Sequence, residues 1–330
     1  MAINWPRFAE IVRAHQRFLL VSHIRPDCDA LGSELGMAAI LESLGKTVRI
    51  VNGQATPPNL AFIDPKKRIG VIGQAVQPTE LADIEVLLIL DTSAWAQLGP
   101  MSDFIRAFPG KKIVIDHHVS EDDIGAEPFK DVAAEATGRL VIEAAEALGV
   151  RLTREMATPL FAAVATDTGW FRFASASAGT YRIAEQLIDA GADPAAIYNA
   201  LYEQDTLSRV RLRGVILSHI ETELSGRLAY TYVLKEDFAK TNALPSDTED
   251  VINSLLAIGG TQVAIIFVEQ QSGGFKISFR SRSSVDCSKL AEKWGGGGHK
   301  AAAGAFIQGS LADVRPVVLD AVRAAMTQQP

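Results

Sequence analysis

The chain has 330 residues, 48% hydrophobic and 22% charged, with a formal net charge of -7 at pH 7. That balance is globular, leaves room for about two domains of ~100–200 residues, and excludes a general polyanion binder, so an anionic substrate needs local cations. No apolar run approaches the ~18–20 residues of a membrane span, MAINWPRFAE lacks a signal-peptide core, and the only cysteines, Cys28 and Cys287, offer no disulfide framework and fit a reducing, cytoplasmic setting.

Residues 5–16 read as a short amphipathic helix, and Phe18–Val21 as a buried strand. His23, Asp27 and Asp29 follow at once, before a helical pattern carried by Leu31, Leu35, Ala38, Ala39 and Leu41 and stopped by Gly45. An Asp here caps a helix, but capping needs one Asp and no His. Residues 46–51 predict a second strand and 52–80 a loop rich in Pro, Gly and Asn. The apolar run 85–90 ends directly in Asp91, and 111–115 ends directly in Asp116-His117-His118. Strands separated by helical stretches predict a mostly parallel α/β sheet, which gathers these tips along one edge, where open sheets bind ligands. Imidazoles among carboxylates suit Mn²⁺ better than a thiolate-type zinc site.

Helices are expected at about 134–149 and 153–166. The second leads to Asp167, a carboxylate on an apolar face that calls for a cationic partner. Arg172, between Phe171 and Phe173, suits either a base and its phosphate or sheet-edge packing. Helical stretches at 181–187, 194–202 and 207–217 read as a connector. Beyond it, 228–233, 262–269 and 275–282 predict strands and 247–258 a helix. Lys276, Ser278, Arg280 and Arg282 share one strand face by their spacing. The run Gly295-Gly296-Gly297-Gly298-His299 reads as a phosphate cradle, with a helix starting at His299 and pointing its positive end at the anion.

The order His-x3-Asp-x-Asp, strand-end Asp, Asp-His-His, downstream Asp and Gly-Gly-Gly-His resembles the DHH/DHHA1 phosphoesterase family over nearly the whole chain. Within it, SHIRPDCDALGS and GGGGHKAAAG look most like the nanoRNase/pAp phosphatase branch. The resemblance implies a mostly parallel-sheet DHH domain (1–187), a helical connector (188–217) and a smaller α/β DHHA1 domain (218–330). It implies two divalent ions, Mn²⁺ foremost and Mg²⁺ or Co²⁺ as options. His23 and Asp27 would hold the first, with Asp91 bridging; Asp29, His117 and Asp167 would complete the second. His118 would face the scissile phosphate, and Asp116 would orient a ligand histidine. Arg280 and the Gly296, Gly297, Gly298 and His299 loop would contact substrate phosphate, with Ser278 and Arg172 beside them. Cys28 stands where the family usually has a small Gly.

The implied activity is two-metal hydrolysis of short single-stranded RNA oligonucleotides, di- to pentamers, and dephosphorylation of pAp to AMP, with no membrane partner and a homodimer as one option. The alternatives are hydrolysis of cyclic dinucleotides or linear pNpN, and a catalytically idle nucleotide-binding sensor.

Overall fold

Four separate stretches of apolar side chains in the first two-thirds of the chain become neighbouring strands of one six-stranded sheet. The computed structural model describes residues 3–327, and the chain divides between Gln204 and Asp205 into two compact units. The first unit opens with α1 (Trp5–Ala14), β1 (Arg17–Val21), α2 (Cys28–Ser43), β2 (Thr47–Asn52), β3 (Ile69–Val71) and β4 (Val86–Leu90). It continues through α3 (Trp95–Leu98), α4 (Met101–Ala107), β5 (Lys111–Asp116), β6 (Glu127–Lys130), α5 (Thr137–Ala147), α6 (Arg154–Asp167), α7 (Ala178–Asp189) and α8 (Pro194–Tyr202).

The sheet runs β3-β2-β1-β4-β5-β6 with every pairing parallel. Val86, Leu88 and Leu90 of β4 point into a core shared with Leu31, Met37, Leu140 and Leu160, whereas Leu87 and Ile89 pack on the other face against Leu98, Met101 and Ile105. A strand covered on both faces has no solvent side, hence its uninterrupted apolar run. Strand order reverses direction between β1 and β4, the switch point of an open sheet, where a crevice forms beyond the carboxyl ends. Helices α2 and α6 meet there very closely. A Cβ on Gly32 would lie 2.3 Å from the Pro159 carbonyl, so this helix contact requires glycine.

Two strands of this unit lie where a loop or nothing was expected. β3 falls inside 52–80, and β6 was not anticipated. Both are edge strands created by pairing to a neighbour, and β6 contains Pro128 and buries only Phe129, so neither has a pattern of its own.

The second unit holds α9 (Leu207–Ser218), β7 (Glu221–Glu223), β8 (Leu228–Val233), α10 (Lys235–Thr241), α11 (Val251–Leu256), β9 (Val263–Glu269), β10 (Phe275–Ser281), α12 (Cys287–Glu292), β11 (Gly297–His299), β12 (Ala302–Ile307) and α13 (Leu311–Thr327). Its sheet runs β11-β12-β10-β9-β8-β7, with β8 and β9 parallel and the other pairs antiparallel. Phe267, Ile277 and Phe279 face α12 and α13, while Ala264 and Ile266 face α9 and α11. The expected connector is shared out: Ile197 of α8 belongs to the first unit's core, and Leu212 and Ile216 of α9 to the second's. Among the described residues no helix is long and apolar enough to cross a membrane.

Candidate metal centre

Each strand end at the switch point delivers a ligand-type side chain. His23 follows β1, Asp91 follows β4, and His117 and His118 follow β5, whose last residue is Asp116. Helix starts and ends supply the rest: Asp27 caps α2, Asp29 lies in its first turn, and Asp167 ends α6.

Asp27 does accept the Ala30 N–H as a cap, at 3.0 Å, but the same oxygen lies 3.8 Å from His23 Nε2. His23 Nε2 is also 3.3 Å from Asp91 Oδ2. His117 Nε2 lies 3.5 Å from Asp167 Oδ2, 3.6 Å from Asp91 Oδ1 and 3.7 Å from Asp29 Oδ2. Asp91 therefore presents one oxygen to each histidine. Its backbone is left-handed, with φ 62, a conformation that costs a non-glycine residue energy and persists where the surroundings enforce it.

The imidazole hydrogen bonds determine what these nitrogens can do. His23 Nδ1 is 2.9 Å from the Ile24 carbonyl and His117 Nδ1 is 3.1 Å from the Ala134 carbonyl. A carbonyl only accepts, so each Nδ1 carries the proton and each Nε2 lone pair faces the carboxylates. Imidazole lone pairs and carboxylate oxygens that converge in this way form a donor set for a divalent cation. The groupings His23–Asp27–Asp91 and Asp29–His117–Asp167 each bring a ligand atom from every member within 4.8 Å of the others, as divalent-metal sites do.

Buried and packed against one another, the carboxylates of the cluster resist ionisation. Burial, followed by the neighbouring Asp29 charge, raises Asp91 well above the usual carboxylate range and Asp167 to about 7. Burial also raises Asp29, against two backbone hydrogen bonds that favour its ionised form. Those bonds come from the start of α5: Asp29 accepts the Thr137 N–H at 2.7 Å and the Gly138 N–H at 2.8 Å. The Thr137 hydroxyl donates to Asp91 Oδ1 at 2.8 Å. Thr137 and Gly138 were not anticipated; the one clue available was that a helix start would lie there, ready to receive a carboxylate.

Asp116 acts on His118, not on a ligand histidine as expected, because the Ile24 and Ala134 carbonyls already take the Nδ1 protons of His23 and His117. The His118 ring lies 2.9 Å from Asp116 through Nδ1. Burial opposes ionisation of Asp116, yet hydrogen bonds from His118 and Ser93 and the charge of Lys130 hold its pKa down at about 2. Ser93 and Lys130 were also missed, Lys130 because β6 was not foreseen. Beside the cluster, Asp27 and Asp167 open into a cavity of about 380 Å³ walled by Pro26, Pro57, Leu60 and Leu201.

Arg172 is exposed in a turn after α6, not on a sheet edge, and its Nε donates to the Gly169 carbonyl. In the second unit, no helix starts at His299. Gly297–His299 is instead an edge strand paired to β12, and the Gly296 N–H ends α12 by donating to the Ala291 carbonyl. Glycine is needed here because a Cβ on Gly296 would lie 2.2 Å from the Gly304 carbonyl. The register places Arg280 beside Ala302 and Ala302 beside His299, with Ser278, Gly304 and Gly297 in the adjacent row. Arg280, Ser278 and His299 thus share one face over a floor of small residues.

Residues 17–164 match the DHH family, N-terminal domain, and residues 225–328 match the DHHA1 domain. The chain is 31% identical over 325 residues to the Thermus thermophilus bifunctional oligoribonuclease and PAP phosphatase NrnA, covering 97% of this chain and 94% of the relative. Its counterpart of the same name in Bacillus subtilis is 27% identical over 305 residues, covering 90% and 92%. A crystal structure of an exopolyphosphatase-related protein from Bacteroides fragilis superimposes with a TM-score of 0.84 at 28% identity, covering 98% of this chain and 95% of that one.

Proposed function

Because the chain belongs to the DHH/DHHA1 phosphoesterase family, we propose that it is a metal-dependent hydrolase that degrades short oligoribonucleotides to mononucleotides and converts pAp to AMP. The carrying observation is the convergence of two Nε2 lone pairs and four carboxylates with both Nδ1 protons tied to carbonyls. The names of the Thermus and Bacillus relatives support the substrate class.

His23, Asp27 and Asp91 would hold one divalent ion, and Asp91, Asp29, His117 and Asp167 a second, with Mn²⁺ the best chemical match to this N/O donor set. Such ions supply Lewis acidity toward a phosphoryl group, offset its charge and lower the pKa of water.

The protein's own part is proton placement and orientation. Asp116 holds the Nδ1 proton of His118, which leaves Nε2–H free to donate. In hydrolysis the oxygen of water bonds to phosphorus and gives up one proton to solvent, the ester P–O bond breaks, and the departing alkoxide takes a proton. His118 Nε2 would donate it. The cavity beside Asp27 and Asp167 offers apolar walls for a nucleoside, and the Arg280 face of the second unit would contact a substrate phosphate. Two buried, unpaired cysteines fit a cytoplasmic setting.

The test is hydrolysis of 5′-labelled RNA dimers, pentamers and a much longer strand, with pAp and pApA in parallel, in Mn²⁺ and after chelation. Fast loss of dimer and pAp, slow loss of the long strand and none with chelator is the expected result. Exclusive turnover of pApA would move the assignment to cyclic-dinucleotide breakdown, and binding without hydrolysis would leave an idle sensor.

A further inference from the structure

Glu34 of α2 is fully buried and plays no part in the hydrolysis described above. We propose that it is a positioning residue for His23: a carboxylic acid, kept neutral, that ties the ends of β1 and β2 to the helix bearing Asp29. This role rests on the metal reading of the cluster.

The connections are direct. Asn52, the last residue of β2, donates from Nδ2 to Glu34 Oε2 at 2.9 Å. Its Oδ1 accepts the backbone N–H of Ser22, the residue before His23, at 3.0 Å. All three residues are essentially inaccessible to water, at 0%, 0% and 1% exposure for Glu34, Asn52 and Ser22. Glu34 Oε1 and the Ser22 hydroxyl face one another, yet both are buried without completing a hydrogen bond. Atoms so placed cost energy unless paired. A proton on Glu34 supplies a donor for the Ser22 oxygen and removes a buried charge.

A neutral acid also fits the surroundings. The charged group acting on Glu34 is another carboxylate, Asp64, and burial pushes the Glu34 pKa up to about 8. Ionised, Glu34 would add negative charge beneath a cluster that already holds four carboxylates. Neutral, it fixes the chain direction at Ser22 and therefore the point from which His23 projects, just as partners behind a metal-binding histidine set its orientation.

The experiment compares E34Q and E34M with the wild type by Mn²⁺ titration calorimetry, thermal unfolding of the chelated proteins, and infrared spectra of the Mn²⁺-loaded proteins. A glutamine amide reproduces the neutral acid: its oxygen accepts from Asn52 and its NH2 donates to Ser22. E34Q is expected to bind Mn²⁺ within about twofold of wild type, and E34M about 10–100-fold more weakly. The wild-type spectrum should contain a protonated-carboxyl C=O band that E34Q lacks. A merely structural role predicts the reverse, reduced thermal stability with unchanged Mn²⁺ affinity in E34M, and overturns the proposal. Equal damage in E34Q and E34M, or no such band, overturns it too. If E34M does not fold, S22A carries the same test, with a severalfold weaker Mn²⁺ affinity expected and wild-type affinity overturning the role. A wild type that binds no Mn²⁺ defeats the metal reading and this role with it, whereas weakening confined to E34M leaves the metal reading intact.

Discussion

Asp116 grips His118 twice through a single oxygen: Oδ1 is 2.9 Å from the ring Nδ1 and accepts the His118 backbone N–H at 3.0 Å. Its other oxygen takes the Ser93 hydroxyl at 2.6 Å and the Lys130 ammonium at 3.1 Å. The hydrogen bond to Asp116 is the main cause that raises the His118 pKa above its usual value, against desolvation. A raised imidazole pKa means that the proton is present below it and is lost as pH rises through it. In D116N the negative charge disappears, so His118 gives up its proton at lower pH. The alkaline limb of kcat/KM should then shift to lower pH, and kcat should fall. Replacing the donor itself, H118A, should cost about 10²–10⁴-fold in kcat while Mn²⁺ still binds. An alkaline limb that stays in place in D116N would remove Asp116 from the proton path.

The metal-free protein should lose stability as pH rises. Asp167 has a folded pKa of about 7 and Asp91 lies well above the carboxylate range, through burial and the Asp29 charge. Between the unfolded value of ~4 and these raised values, the folded state binds more protons than the unfolded chain. The stability from the protonated forms is complete below the unfolded pKa and is lost as pH climbs through the folded pKa. Metal binding needs those protons gone. Mn²⁺ should therefore raise Tm more at neutral pH than near pH ~5, read by calorimetry in chelator and in Mn²⁺. A Tm increment independent of pH would separate these carboxylates from the metal.

What could be read in advance divides along physical lines. β4 and β5 announced themselves because burial on both faces forces continuous apolar runs, and the charged residue ending each run marked the site. Asp29 was recognisable as a metal-type acid at a helix start; the backbone hydrogen bonds that hold it come from the start of α5, which only the fold brings to it. Lys130 was invisible because β6 exists only by pairing with β5. The glycine run misled for a similar reason. Flexible glycines suggest an anion cradle, but at Gly297–His299 the deciding interaction is pairing with β12, and glycine is needed at Gly296 and Gly298 because a Cβ there would collide with that strand. The chemistry-bearing side chains were recognisable as types, while their hydrogen-bond partners were tertiary.

Gly138 tests the start of α5. An added Cβ would lie 2.7 Å from Ala163 Cβ and 3.4 Å from Asp29 Oδ1. G138A should therefore force α5 away from α6, at a cost of about 1–3 kcal/mol, and loosen the N–H grip on Asp29. T137V keeps the backbone donor but removes the hydroxyl bonded to Asp91. Both variants should bind Mn²⁺ more weakly, G138A also unfolding earlier and T137V nearly at the wild-type temperature. Undiminished Mn²⁺ affinity in both, measured by titration calorimetry, would reduce this helix start to a packing element.

Arg280 tests the second unit. Its register neighbours Ala302 and, one strand further, His299 are small or polar, and Arg280, whose Nη1 donates to the Phe279 carbonyl at 3.1 Å, lies on the same face as Ser278. A charge-assisted bond from arginine to phosphate is worth about 1.5–3 kcal/mol. R280A should therefore raise KM for a 5′-phosphorylated dinucleotide about 10–100-fold at little change in kcat, with Mn²⁺ affinity untouched. H299A should follow the same pattern more weakly, through loss of one donor. Lys276 lies on the same face but pairs with Phe306 further along β10, and K276A should leave both constants near wild type. The split between KM and kcat is what assigns Arg280 to substrate binding. A fall in kcat with KM unchanged would instead place the guanidinium in the chemical step, and no change in either would leave this sheet face without a role in catalysis.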